Sequence, residues 1–408
     1  MEHQWTLIIV VVTYIGIAIG SWPKIKSNRA TVALMGVGLL LVSGQIPFEK
    51  LPSYLDFDTL ILLFSMMIIN ANLKLAGFFT LAGNSLLKVT RSPRFFLLIE
   101  IVLVGILSAL FLNDTICLML TPFILTMMTA VKRNPIPYLI ALATASNIGS
   151  VATLTGNPQN MIVGVASGIL YLNFTAALLP VALLGLGMIW LVLVWLYPAE
   201  FSGGLFSEIE PEKIAISRWS LIKNVGVVLG LLVAFLAGVP VAEAAFLAAC
   251  VLLFTRRVQP HLVFAEFDWG LLVFFSGLFI VSGSLESSGL TKSLFDAMSI
   301  KSDINMWTFS GLTVVLSNLV SNVPAVLLLK SVVQNMAQPE GGWLTLAAAS
   351  TLAGNMTLLG SVANLIVAEI ASRWRVEISF WEYTRAGFII TILSLITGLG
   401  WMQLFLWR

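Results

Sequence analysis

Long apolar runs alternate with short polar breaks along this chain. Residues 5–20, 30–42, 174–197, 221–238 and 388–406 are among the runs that approach or reach the ~20 residues a helix needs to cross a bilayer. About ten crossings can be counted on that criterion. Two further stretches, 94–133 and 303–341, turn back at polar points, LNDT and VSNVP, and read as re-entrant hairpins that enter and leave on one face. The pattern predicts an all-α polytopic membrane protein. Its two inverted repeats would each have five membrane crossings, one of them broken, and one re-entrant hairpin.

The repeat is visible in the letters. Residues 142–163 (LATASNIGSVATLTGNPQNMIV) align without a gap on 346–367 (LAAASTLAGNMTLLGSVANLIV), with ten identities in twenty-two positions. Apolar bias alone would not match Ser146 with Ser350, Thr153 with Thr357, Gly156 with Gly360 and Asn160 with Asn364. Upstream, Phe57-Asp58 pairs with Phe267-Asp268, Gly77 with Gly289, and Asn113 with Asn322. Residues 1–197 form one copy and 221–408 the other, with 198–220 as a polar, solvated linker that carries Glu208, Glu210 and Glu212. Five crossings is an odd number, so the second copy must sit upside down. Such inverted repeats are characteristic of secondary transporters.

Each repeated segment interrupts itself. Gly149, Gly156 and Pro158 break 136–167, and Gly354 and Gly360 break 343–373, because proline lacks an N–H and glycine weakens a helix. Irregular backbone at membrane depth survives only inside protein or beside a wet cavity. Beyond each break the chain starts a new helix, at Asn157-Pro158 and at Ser361, and both hairpin tips do the same. Four helix N-termini, each worth roughly half a positive charge, are therefore expected to converge near the bilayer centre.

Composition agrees and narrows the chemistry. The chain has 408 residues, 58% of them hydrophobic and 10% charged, with a mean hydropathy of +0.97; soluble domains carry about 25% charged residues. A net charge of +2 gives no footprint for nucleic acid. The basic residues instead set orientation: Lys24, Lys26 and Arg29 follow the first span, and Met1-Glu2-His3-Gln4 lacks the basic region of a signal peptide. An inner (plasma) membrane protein with both termini outside is expected. Cys117 and Cys250 lie apart, offer neither a disulfide nor a metal spacing, and read as packing residues. His3 and His261 fall outside the core, and no nucleophile–base pair is evident, which argues against a membrane enzyme.

The expected solute-binding residues are Asn113, Asp114, Thr115, Asn157, Asn160, Ser321, Asn322, Ser361 and Asn364, since buried amides in lipid are costly without a task. Ion coupling is expected from Asp114, Ser146, Asn147, Thr153, Thr155, Gly156, Ser350, Asn355, Thr357 and Gly360, whose carbonyls and hydroxyls suit Na+. Asp114 is the one acid at a predicted tip, fit to carry a proton or hold a cation, or to cap its helix. Glu100, Glu243, Glu286, Lys330 and Glu369 read as interfacial or structural. Neither cofactor nor nucleic acid is expected; the partners are H+ or Na+, a small inorganic or organic solute, the bilayer and, as a candidate assembly, a homodimer.

At NDTICLMLTPF, SNIGSVATLTGNPQNMIV, VSNVPAVLL and LAGNMTLLGSVANLIVAE the chain resembles the ion transporter superfamily, most of all its arsenite-efflux permeases and plant silicic-acid efflux carriers. More distantly it resembles divalent anion/sodium symporters, whose Ser-Asn-Thr tips are replaced here by Leu112-Asn113-Asp114-Thr115 and Ser321-Asn322-Val323. The resemblance implies an elevator-like carrier, with 77–88 and 289–301 as interfacial helices joining a transport domain to a scaffold. Three readings follow: proton-coupled efflux of arsenous or silicic acid, Na+-coupled import of citrate, a dicarboxylate or sulfate, and Na+/H+ antiport.

Overall fold

With no water at membrane depth, every backbone N–H and C=O must find its partner within the protein, and among the described residues all the regular elements are helices. The computed structural model describes residues 2–19, 27–89, 92–202, 204–206, 218–254, 258–290 and 304–406.

The first half runs α1 (Glu2–Ile19), α2 (Arg29–Val42), α3 (Phe57–Leu75), α4 (Phe78–Val89), α5 (Pro93–Leu110), α6 (Asn113–Ala130), α7 (Ile136–Ser150), α8 (Pro158–Ser167) and α9 (Tyr171–Leu196). The second runs α10 (Arg218–Leu236), α11 (Val241–Leu253), α12 (Trp269–Ser287), α13 (Met306–Val320), α14 (Asn322–Gln334), α15 (Pro339–Ala353), α16 (Val362–Arg373) and α17 (Phe380–Phe405). Seven described helices are long and apolar enough to cross a membrane unaided. Two of them, α5 and α6, are hairpin arms joined at the extended residues Phe111 and Leu112. The crossings in each half are thus three plain helices, one broken pair (α7/α8 or α15/α16) and one long closing helix (α9 or α17).

The halves are interlocked. Helices α1 and α2 pack on α12 of the other half, α10 and α11 pack on α3, and α9 lies along α17. Polar ties repeat the exchange: the Tyr14 hydroxyl meets Ser282 Oγ at 2.6 Å, and Asn224 Nδ2 donates to the Asn72 carbonyl at 2.8 Å. Each hairpin lies with its first arm on the broken helix of its own half, α5 on α7 and α13 on α15, and its second arm on the other half, α6 on α16 and α14 on α8. Gly77 and Gly289, matched in the sequence repeat, both adopt left-handed φ, +80° and +72°. The first ends α3 and turns the chain into α4; most of 289–301 lies outside the described residues, as do Glu208, Glu210, Glu212, Lys24, Lys26 and Arg408.

Four expectations change. The second hairpin ends at Gln334, and its broken helix begins at Pro339, because proline is well placed in a first turn. The described part of the linker is only partly solvated: Pro198, Ala199, Ser202, Gly204 and Leu205 are exposed, but Phe201 and Phe206 are buried, their rings 5.7 Å from those of Tyr138 and Phe96 respectively. Cys117 is buried as a packing residue, whereas Cys250 faces outward on α11. Of the two readings of Glu100, interfacial or structural, the first falls: it is fully buried, and both of its carboxylate oxygens lack a hydrogen-bond partner.

Candidate functional site

The site is built where the two broken helices cross. Helix α7 ends at Ser150, and six residues of turn precede Asn157, whose side chain caps α8 by accepting from the Asn160 amide at 2.9 Å. In the second copy α15 ends at Ala353, and Ser361 caps α16 by accepting from the Ala363 amide at 3.3 Å. The breaks leave carbonyls without helical partners, and one repeated asparagine serves each. Asn160 Nδ2 donates to Ser150 and Thr153 at 3.0 and 2.9 Å; Asn364 Nδ2 donates to Gly354 and Thr357 at 2.8 and 3.1 Å. Those four carbonyls are equivalent pairs under the shift that relates Ser146 to Ser350.

The same two-fold relation governs the bonds between copies. Asn147 Nδ2 donates to Asn364 Oδ1 at 3.1 Å, and Thr351, its counterpart, donates to Asn160 Oδ1 at 3.4 Å. Ser361 donates to Asn147 Oδ1 at 3.1 Å, as Asn157 donates to Thr351 Oγ1 at 3.3 Å. Asn355 completes the lattice, accepting from Asn147 at 2.8 Å and donating to the Thr144 carbonyl at 3.2 Å. Asn160 and Asn364 therefore spend both ends of their amides on protein partners.

The first hairpin tip docks on this lattice. The Asn113 amide donates to the Gly156 carbonyl at 3.0 Å, Ser146 donates to the Asn113 carbonyl at 2.9 Å, and Asn113 Nδ2 donates to Asn147 Oδ1 at 3.0 Å. Thr153 bonds the Ala109 carbonyl. At the second tip Asn318 Nδ2 reaches the Ala353 carbonyl at 3.2 Å, and Asn322 Nδ2 lies against Gly354. Ser350, unlike Ser146, turns back onto its own helix at Ala347. Ser321, the one-residue joint between α13 and α14, has φ +80° and ψ 159°, a region costly for any residue with a side chain, about 1–3 kcal/mol. The side-chain oxygens of the matched tip residues Asn113 and Asn322 are both buried without a partner.

Asp114 points elsewhere. It lines a cleft of about 150 Å³ with Asn70 and Lys74 of α3, Thr115 beside it, and Glu266 and Asp268 of the other half. It does not cap α6, whose cap position is Leu112. Asn70 Nδ2 donates to Thr115 Oγ1 at 3.3 Å, its Oδ1 is buried and unpartnered, and Lys74 and Glu266 form an ion pair at the cleft. The expected residues thus divide into an amide lattice at the crossing and an acidic cleft beside the first tip. Thr155, Gly156 and Gly360 are buried in the breaks, while Thr357 is half-buried at the outer edge of the second. Asn70, Gln159 and Thr351 were missed. Gln159 lies in the GNPQN motif and donates to Thr351 at 3.2 Å, and Thr351 is the repeat partner of Asn147, a match hidden because the two residue types differ.

A family model described as "Citrate transporter" matches residues 14–353. A silicon efflux transporter of Oryza sativa subsp. japonica is 31% identical over 459 residues, covering 93% of each chain. A 46 kDa membrane protein of Mycobacterium leprae (strain TN) is 29% identical, covering 95% of each. Among solved structures, the YdaH transporter of Alcanivorax borkumensis superposes over 99% of this chain and 96% of its own with a TM-score of 0.59; at 14% identity the likeness is one of fold.

Proposed function

We propose that this chain, which belongs to the citrate transporter family, is a secondary active carrier that expels a small oxygen-rich inorganic solute of the silicic or arsenous acid type in exchange for protons. The observation that carries this reading is the pair of unpartnered amide oxygens on Asn113 and Asn322, buried beside helix N-termini in a lattice of amides and hydroxyls. Polyhydroxy solutes both donate and accept: their O–H groups suit the two free oxygens, and their oxygens suit the N–H donors of α6, α8, α14 and α16. Among the described residues no arginine or lysine hydrogen-bonds into that lattice, and a carboxylate solute would want such a fork. The rice relative's name, a silicon efflux transporter, points the same way.

On this reading Asn113, Ser321 and Asn322 meet the solute, Asn157 and Ser361 offer it the N–H groups of the helices they cap, and Asn160 and Asn364 hold the breaks in shape. Asp114, in its cleft with Thr115 and Asn70, takes and releases the proton, and Ser146, Asn147, Thr153, Thr155, Ser350, Asn355 and Thr357 with Gly156 and Gly360 shape the ion path. The hairpins and broken helices move together past α1–α3 and α10–α12. Both termini face outside and residues 198–220 inside; labelling of single cysteines at Glu2 and Ser202 from the same face would refute that orientation.

A Na+-coupled importer of citrate or another anion is the second reading, favoured by the four helix N-termini and by the family's description. Proteoliposomes offered silicic acid, arsenite, citrate, succinate and sulfate under separate pH and Na+ gradients decide between them. Accumulation of a neutral hydroxylated solute driven by a pH difference is expected; accumulation of an anion driven by Na+ alone would overturn the efflux reading.

A further inference from the structure

Glu100 has no task in the mechanism proposed so far. It lies on the first arm of the first hairpin, roughly 10 Å along α5 from Pro93. It is 0% exposed, and neither carboxylate oxygen has a donor. Phe96, one turn earlier on the same face, packs its ring 5.7 Å from that of Tyr138 on α7, which places Glu100 in the α5–α7 seam. An ionised carboxylate there would have no counter-charge and no hydrogen bond, so the seated arm accommodates only the neutral acid.

The surrounding groups reinforce this. Tyr138 of α7 packs against that face through Phe96, and its hydroxyl is committed to Glu200 at 3.1 Å. Glu200, from the docked helix Pro198–Phe201, faces Arg133 at 3.9 Å. Helix α9 has no charged residue, α6 has Asp114 alone, at the tip, and α4 has Lys88 alone, in its last turn. Glu100 has no hydrogen bond to any described group. The seam itself is tight: a side chain on Gly149 would overlap the Gly105 carbonyl, so α5 seats on α7 at backbone contact. The same arm leads directly into Phe111, Leu112 and the docked Asn113.

We propose that Glu100 is a proton-dependent latch on the first hairpin: protonated, it lets α5 seat on α7 and hold the tip on the lattice; when the arm lifts and water reaches it, it ionises and holds the arm open. This deepens the proton-coupled reading and rests on it, adding a second titrating group that acts by positioning the tip and does not touch solute. The balance is simple: one proton leaves the carboxyl for water as the seam opens and returns as it closes.

Two measurements test it. Infrared titration of the purified protein should show the C=O stretch of a neutral carboxylic acid at neutral pH, and Glu100→Gln should remove that band. Exchange of labelled solute across proteoliposomes at equal pH on both sides should vary with pH in the wild type and still in Asp114→Asn, where the cleft carboxyl cannot titrate; on that Asp114→Asn background Glu100→Gln should remove the variation. Glu100→Met, which keeps the bulk without a polar atom, serves should the buried amide of Gln unsettle the fold, and it should give the same flat profile. A band untouched by both variants, or a pH profile retained by either on that background, overturns the latch while leaving proton coupling intact. A wild-type profile that is itself flat overturns the proton-coupled reading and the latch with it.

Discussion

Asn160 and Asn113 look alike in the sequence, each a buried asparagine in a repeated motif, yet their amides do different work. Asn160 binds three break carbonyls and Asn364 two, so Asn160→Ala or Asn364→Ala leaves buried acceptors unpaired at about 1–3 kcal/mol each. A clear fall in the thermal melting temperature is expected for both variants, measured by size-exclusion after heating. Asn113→Ala and Asn322→Ala remove side chains with a free oxygen, and are expected to abolish uptake while melting close to wild type. Equal melting losses in all four variants would erase the distinction. Asp114→Asn tests the cleft: it keeps shape but cannot ionise, so it should still exchange solute yet fail to concentrate it under a pH difference. Accumulation at the wild-type level would transfer coupling to another group.

Among the elements, the broken helices depend on close approach from outside. Gly387 of α17 lies so near the Asn355 carbonyl that a Cβ would overlap it, with the Tyr383 ring 3.1 Å away on the other side. Gly387→Ala should therefore displace the second break, lowering stability by about 1–3 kcal/mol and slowing transport. Gly400, on the same helix with nothing within 4 Å, provides the control: Gly400→Ala should leave uptake unchanged and stabilise slightly, by up to about 1 kcal/mol. The comparison is read from melting curves and initial uptake rates of the two variants side by side. The break itself could be read from Gly156, Pro158 and Gly360, because helix breakers act locally. The need for glycine at 387 could not, because it arises from a neighbour far along the chain.

For the whole molecule, the proposed motion separates pairs that move together from pairs that slide. Tyr14 and Ser282 join α1 to α12 within the scaffold, whereas Asn70 and Thr115 face each other across the boundary between α3 and the hairpin tip. Bridging a Tyr14→Cys/Ser282→Cys double variant with a short bifunctional thiol reagent, since two Cβ atoms separated by the reach of a tyrosine ring cannot meet in a disulfide, should leave uptake at the level of the unbridged form. Oxidation of Asn70→Cys/Thr115→Cys should arrest uptake, and reductant should restore it. Arrest by the first pair, or free transport by the oxidised second, would contradict an elevator-like movement of hairpins past scaffold.

Local rules account for what the sequence alone decided. Apolar length predicts crossings because a helix must span the bilayer, Gly and Pro predict breaks because they weaken the helical ladder, and the gapless match of 142–163 to 346–367 shows the repeat because polar identities have no other source. Those rules led to an all-α architecture of crossings and two hairpins, which the structure has. Only tertiary structure decided which amides are committed and which are free. Asn147 and Thr351 occupy equivalent places in the lattice although their letters differ, Asn70 joins Asp114 from another helix, and Glu100 is stranded without a partner. Hydrogen bonding across an interlocked pair of halves depends on distances between residues remote in the chain, and no local pattern records those distances.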